Sequence, residues 1–409
     1  MAGHAPPLSK AYWRTWTAVG VSSVGDGLAF AALPLLAESL SDRGLWVTLT
    51  FAAARLPWLL FGVAAGAWVD SRPARLTMMQ MDAVRFLTML VLGVAVYAGV
   101  ASIPIVLVVA FIVGVADCAH IPAASSLLPQ LVRSGELDRG NSYLGSAELA
   151  GEQFAGPSLG ALLFSWAPWL PFVGDASSFF GSGALLRGVR VEEERSYAKR
   201  LSLRPDISAG WAWFRQNRDL WALTLFLCVG AGATGMTNSA LVLYGKRHLG
   251  LSNWQFGLFI GVPAIGGLIG SVLAFRIWRR LETRLCVAAC FVALTVALTV
   301  LAATRSTIVA AAAFCVEGFI PPIINTIIRT LRQQGVPTHL LGRVSSVGRL
   351  MMISAAFAGA GVAGAVADIS TIPTVYGVAA ALTLAALLVG GRQLSRIRLE
   401  FDQNATTVS

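Results

Sequence analysis

Gly66-Ala-Trp-Val-Asp-Ser-Arg-Pro-Ala-Arg75 is a short charged turn set between two apolar runs, about 45–69 and 76–98. Each run is long enough to carry an α-helix through ~30 Å of hydrocarbon at 1.5 Å per residue. A turn holding Asp70, Arg72 and Arg75 between two such runs reads as a loop joining two membrane spans. The same alternation continues through all 409 residues, of which 56% are hydrophobic and 13% charged, with a mean hydropathy of +0.69. Twelve spans emerge. Six run about 14–38, 45–69, 76–98, 103–128, 141–165 and 168–189, and six more about 219–243, 253–277, 283–303, 307–330, 343–367 and 371–391. The expected fold class is an all-α membrane protein of twelve transmembrane helices.

The net charge of +10 would suggest nucleic acid if the basic residues formed one patch. They are instead dispersed in short clusters between apolar runs. With the N-terminus inside, only Arg43, Lys246, Arg247 and Arg305 fall in external loops, while Arg55 and Arg85 fall within spans. That bias predicts cytoplasmic termini and a multi-pass protein of the cytoplasmic membrane. All basic residues except Lys10, Lys199 and Lys246 are arginine, a bias of GC-rich bacterial genomes. The first apolar run is too long for a signal-peptide core and follows Lys10 and Arg14, so it is expected to stay as the first span. Cys118, Cys228, Cys286, Cys290 and Cys315 all lie in apolar runs without CxxC or metal spacing, so no metal and no cofactor are expected.

An internal duplication shows at a spacing of about 200 residues. Phe154-Ala-Gly-Pro-Ser-Leu-Gly-Ala161 matches Phe357-Ala-Gly-Ala-Gly-Val-Ala-Gly364, and Gly66, Arg72 and Arg75 match Gly270, Arg276 and Arg279. Two six-helix halves related by pseudo-twofold symmetry, 14–189 and 219–393, are the parallel repeats of a rocking transporter with its substrate site between them. They are flanked by an N-terminal segment 1–13 and a tail 394–409. The polar stretch 190–218 is the linker, where Ile207, Trp211 and Phe214 suggest an amphipathic helix on the cytoplasmic face.

The Gly66–Arg75 segment resembles the loop motif of the major facilitator superfamily: a glycine, Asp-x-Arg, then a second basic residue. The resemblance makes Gly66, Asp70, Arg72 and Arg75 a cytoplasmic gate, with Asp82 and Arg85 completing its charge network. Gly66 would permit close helix packing and Asp70 would cap a helix or pair with an arginine. The matching loop of the second half has Ala274 in place of the aspartate. Ala54-Arg-Leu-Pro-Trp-Leu-Leu60, Leu127-Leu-Pro-Gln-Leu-Val132, Phe172-Val-Gly-Asp-Ala-Ser-Ser-Phe179, Leu331-Arg-Gln-Gln334 and Leu341-Gly-Arg-Val344 look like the branch of enterobactin and macrolide exporters. Glu152-Gln-Phe-Ala-Gly-Pro-Ser-Leu-Gly160 is similar to the antiporter motif, with Gly156, Pro157 and Gly160 at its centre. Here Gly151 stands five residues before Gly156, where the pattern has four, and Ala161 replaces a final glycine. The resemblance implies a monomer.

Ionisable residues inside spans are costly and therefore candidates for function. Asp26 lies about 12 residues, or ~18 Å, into the first span, near midplane. It suits proton coupling or contact with a cationic substrate, or else a hydrogen bond within the Gly25-Asp-Gly27 bend. Glu148 and Glu152, four apart, share a face of span five, and two such carboxyls oppose each other's ionisation. Arg55 can neutralise one of them or meet an anionic substrate. Asp117 and Glu317 complete the candidates for the proton-coupling or substrate cavity, and His120 beside Asp117 reads as a hydrogen-bonded packing residue.

No HExxH, nucleophile elbow or P-loop occurs, which argues against an enzyme or an ATP-driven pump. The expected function is export of a small hydrophobic or amphipathic molecule by proton antiport and alternating access. Partners are the small-molecule substrate, protons and the lipid bilayer, with no nucleic acid. A proton-coupled importer of the same fold, or a non-transporting receptor, is the alternative.

Overall fold

The computed structural model describes residues 8–133, 136–189, 211–280, 282–336 and 338–394, which are helical with short turns; among them there is no strand. In hydrocarbon every backbone N–H and C=O needs an internal partner, and apolar runs of this length meet that need as helices. The helices are α1 (Lys10–Leu40), α2 (Gly44–Asp70), α3 (Ala74–Tyr97), α4 (Ile103–Leu131), α5 (Leu137–Glu148), α6 (Gly156–Trp166) and α7 (Leu170–Arg187). They continue as α8 (Arg218–Leu243), α9 (Asn253–Ile260), α10 (Val262–Arg280), α11 (Thr283–Ala303), α12 (Thr307–Gly335), α13 (Thr338–Ile369) and α14 (Ile372–Leu394). A π-helical turn, Leu149–Ala155, joins α5 to α6, and a second, Tyr244–His248, extends α8.

Ten segments among the described residues are long and apolar enough to cross a membrane. The expected fifth and sixth spans are not among the ten. The fifth, Leu137–Trp166, carries Asp138, Arg139, Glu148 and Glu152, and the sixth, α7, carries Asp175, Ser177, Ser178 and Ser182. Of the expected interfacial linker helix, Trp211 and Phe214 lie in a short helix at 211–216, whereas Ile207 falls outside the described residues.

The chain forms two compact units, one of α1–α7 with α9, the other of α8 with α10–α14. In the first, α1 is the hub: it packs against α7, α6 and the π turn, while α2 packs on α4 and α3 on both α4 and α7. Ser9 caps α1 by accepting the Tyr12 N–H at 3.0 Å, and the Tyr12 hydroxyl donates to the Gly140 carbonyl at 2.9 Å, tying α1 to α5. In the second, α10 packs on α12, α8 on α13 and α14, and α11 on α14 and α12. Small residues set these crossings, as they do wherever helix backbones touch in a membrane: a side chain at Gly114 would strike the Ala54 carbonyl, and one at Gly318 the Pro263 carbonyl.

Candidate functional site

Inside the first unit, helices α1, α3, α4 and α7 bring their few polar side chains to one place. Arg85 on α3 is 1% exposed and is the centre. Its Nη2 donates to Asp82 Oδ1 at 2.6 Å, one turn earlier on the same helix. Its Nη1 lies 3.1 Å from Asp117 Oδ1 on α4 and 3.4 Å from Asp26 Oδ1 on α1. The Phe179 ring of α7 covers the guanidinium at 4.2 Å, a cation–π contact in a desolvated setting. The Ser182 hydroxyl donates to the other carboxylate oxygen of Asp82, Oδ2, at 2.8 Å, and His120 Nε2 lies 3.2 Å from Oδ1, the oxygen that Arg85 holds.

The two ends of this network differ. Asp82 is fully buried, while the side chains of Asp26 and Asp117 keep 31% and 28% of their exposure. Asp175 of α7 and Glu152 of the π turn are within electrostatic range of Asp26. Four aspartates thus surround one guanidinium, and among the described residues His120 is the only other basic group hydrogen-bonded or ion-paired with them. An uncompensated buried charge costs several kcal/mol. The cluster therefore holds more carboxyls than it has cations to pair them.

The expected candidates fall into separate places. Asp26 and Asp117 join Arg85 as described. Asp82 and Arg85 belong to this buried cluster and not to the loop after α2: Arg75 turns away from them and donates through Nη1 to the Leu186 and Arg187 carbonyls at 3.4 and 3.3 Å, at the end of α7. Arg72 lies over the Trp68 ring at 4.2 Å. The side chain of Asp70 lies outside the described residues. A side chain at Gly66 would meet no described atom within 4 Å. Glu148 and Glu152 are both exposed, and Glu152 is in electrostatic range of Arg55 and Asp117. Arg55 is itself exposed, its guanidinium 5.6 Å from the Phe51 ring.

Glu317 lies in the second unit, on α12. It is 7% exposed and accepts from the Thr237 hydroxyl of α8, while its Oε2 is buried and has no hydrogen-bond partner among the described residues. The Tyr376 hydroxyl of α14 donates to the Thr237 carbonyl at 3.4 Å. Pro321 and Pro322 follow on α12 and lack the N–H groups that would bond the carbonyls of Glu317 and Gly318.

Gly156, Pro157 and Gly160 form the crossing of α6 with α1. A Cβ at Gly156 would lie 2.5 Å from Gly27 Cα, and one at Gly160 2.5 Å from the Leu28 carbonyl oxygen. Pro157 follows the π turn on a helix that runs on from α5, and its ring lies against α1, where a side chain at Gly27 would come within 2.8 Å of its Cδ. Asp175 is not among the expected candidates, although an acid inside an apolar run is the same signal that singles out Asp26. Ser182 and Phe179 carry no such signal, since their roles depend on what α3 places opposite them. Among the described residues no group of three His, Cys, Asp or Glu is arranged to hold a metal ion.

The model of the Major Facilitator Superfamily matches residues 15–360. The chain belongs to the Major Facilitator Superfamily. It is a multi-pass membrane transporter of that superfamily. It is 25% identical over 381 residues to the multidrug efflux pump Tap of Mycolicibacterium fortuitum, covering 90% of this chain and 91% of the relative. Among solved structures, a point mutant of the nucleoside transporter NupG matches with a TM-score of 0.81 at 10% identity, over 94% of this chain and 99% of that one. A bacterial homologue of the iron transporter ferroportin in an inward-facing state matches with a TM-score of 0.78 at 19% identity, over 96% and 100%. At these identities the two structures speak for the fold alone.

Proposed function

We propose that this transporter exports a small hydrophobic or amphipathic compound, such as a drug, antibiotic, siderophore or secondary metabolite, in exchange for protons. The observation that carries the reading is the sharing of one guanidinium atom, Arg85 Nη1, by two part-exposed carboxyls, Asp26 and Asp117. A proton or a cationic group on either carboxyl weakens its hold on Arg85, so α1, α3 and α4 are retied whenever one ligand replaces the other. Only a ligand that binds two conformations unequally can move their equilibrium, and this arrangement supplies that inequality. The likeness to the efflux pump Tap supports the outward direction.

The mechanism is alternating access by two halves, 14–189 and 219–393, joined by the linker 190–218, with both termini on the cytoplasmic side of the cell membrane and a monomer as the working unit. Gly66, Asp70, Arg72 and Arg75 form the cytoplasmic gate. Glu148, Glu152, Arg55 and Glu317 are further cavity residues.

The test is collapse of ΔpH in energised inside-out vesicles on adding lipophilic cations, macrolides or siderophores, against vesicles without the protein. Collapse with one compound class in the wild type, and its loss in Asp26→Asn or Asp117→Asn at normal membrane content, is the expected result. Wild-type exchange in Asp26→Asn, Asp117→Asn and the double Glu148→Gln/Glu152→Gln variant would overturn the coupling assignment. Accumulation of a solute with the proton gradient would point to import by symport.

A further inference from the structure

We propose that Asp175 is a second proton-binding site, buried behind Asp26 and Asp117; this rests on the proton-coupled reading above. Asp175 is 0% exposed on α7. The one hydroxyl near its Oδ1 is Ser178 Oγ at 3.5 Å, and that hydroxyl points to the main-chain carbonyl of Asp175 itself, at 2.8 Å. Its Oδ2 is buried and has no hydrogen-bond partner among the described residues. Among the described residues no basic nitrogen forms an ion pair with it. Arg85, the guanidinium within electrostatic range, uses its two Nη atoms for Asp26, Asp82 and Asp117. A charged carboxylate so placed would be an unpaired buried ion, at a cost of several kcal/mol, whereas a neutral carboxylic acid carries no such penalty.

The neighbours make the site exchangeable. Facing the cluster are Asp26 from α1, Asp82 and Arg85 from α3, Asp117 and His120 from α4 and, close to Asp26, Glu152 from the π turn. Gly25 of α1 presses its backbone on α7 here: a side chain there would collide with Ser178 Oγ and lie 2.5 Å from Asp175 Oδ1. Water is thereby kept out on that side, and Asp26, next in sequence and part-exposed, is the route in. Asp26 is the part-exposed carboxyl in electrostatic range of Asp175, and a proton relayed between the two breaks one O–H bond, forms one and leaves the net charge of the cluster unchanged. In the reverse direction the Asp175 carboxylate needs a donor. Arg85 Nε is buried and has no hydrogen-bond partner among the described residues, so it is the donor in reserve. Turning it to Asp175 draws the guanidinium away from Asp26 and Asp117.

The test is infrared difference spectroscopy on the purified full-length protein in lipid nanodiscs at neutral pH, in H2O and D2O. The expected result is a protonated-carboxyl C=O band that disappears in Asp175→Asn and persists in Asp26→Asn. If Asp175→Asn does not fold, Ser178→Ala serves: it removes the hydroxyl beside Oδ1 and shifts the band without abolishing it. An unchanged band in both variants overturns the site. In inside-out vesicles, proton-driven export of ethidium is expected to fall about tenfold in Asp175→Asn, the size of an ordinary coupling free energy; wild-type export in that variant overturns the role in transport. Absence of ethidium–proton exchange in the wild type would count against the export reading, while the infrared band still decides Asp175.

Discussion

The main-chain N–H of Gly156 donates to the carbonyl of Gly151, five residues back, and both glycines face α1. In an α-helix, residues five apart point about 140° away from each other at 3.6 residues per turn. The π turn over Leu149–Ala155 absorbs the extra residue, as single π turns do. A side chain at Gly151 would lie 2.8 Å from the Val24 nitrogen, and one at Gly156 2.6 Å from the Val24 carbonyl oxygen. The five-residue spacing that departs from the antiporter pattern is thus a way of keeping both glycines on one crossing.

Gly151→Ala and Gly156→Ala are each expected to lower stability by about 1–3 kcal/mol or more, because the methyl meets backbone that cannot give way. Gly66→Ala, where the methyl meets open space, is expected to stay within about 0.5 kcal/mol. Thermal unfolding of the three purified variants in one detergent checks the contrast. Equal shifts in all three would sink it.

Arg85 holds three carboxylates, so removing its charge leaves buried acids without their cation. Arg85→Gln is expected to cost about 3–5 kcal/mol, the range for breaking a buried ion pair from one side. Arg85→Lys is expected to recover part of that, since one ammonium cannot span Asp82 on one side and Asp26 with Asp117 on the other as a planar fork does. Arg85→Gln combined with Asp82→Asn is expected to be more stable than Arg85→Gln alone. Melting temperatures of the wild type, the single variants Arg85→Gln, Arg85→Lys and Asp82→Asn, and the double variant measure all of this, and additivity of Arg85→Gln with Asp82→Asn would refute the pairing.

The helices were legible in the sequence because a membrane leaves a long apolar run few other ways to satisfy its backbone. Even α5, polar enough to fall short of a span by composition, opens the fifth expected span, 141–165. Asp26 and Asp117 were legible for the same reason: an acid is conspicuous among leucines and valines. What the sequence did not carry is which faces meet. Asp82 stands seven residues beyond Arg75, about 10.5 Å along the helix axis, so proximity in sequence suggested one network where the structure has two. Periodicity gives little help, since lipid and a neighbouring helix both accept an apolar face. Ser182 and Phe179 become readable only once α7 is known to pack on α3.

At the end of α7 two arginines converge on the last carbonyls. Arg75 reaches Leu186 and Arg187, and Arg14 Nη1 donates to Gly188 O at 2.6 Å. Free carbonyls at a helix C-terminus carry partial negative charge, which cations stabilise by about 0.3–1 kcal/mol each. Arg75→Ala is expected to loosen this end without unfolding the unit. Hydrogen exchange over 183–189 should quicken in that variant and stay unchanged over α4. Equal exchange in both proteins would mean that the contact with α7 contributes nothing.

Thr237 on α8 gives its hydroxyl to Glu317, whose second oxygen already lacks a partner. Thr237→Val keeps the shape and removes the donor, leaving a buried carboxyl with neither oxygen bonded; Thr237→Ser keeps the donor and removes a methyl. Loss of a buried hydrogen-bond partner costs about 1–3 kcal/mol, and the penalty is larger if Glu317 is charged. The valine variant is therefore expected to be less stable than the serine variant, with the gap closing in the Glu317→Gln background. An amide can donate its own hydrogens to nearby carbonyls, including the ones Pro321 and Pro322 leave unbonded on α12. Unfolding of Thr237→Val and Thr237→Ser in both backgrounds decides it: a gap of the same size whether Glu317 is kept or replaced by glutamine would show that the methyl, and not the hydrogen bond, sets the stability here.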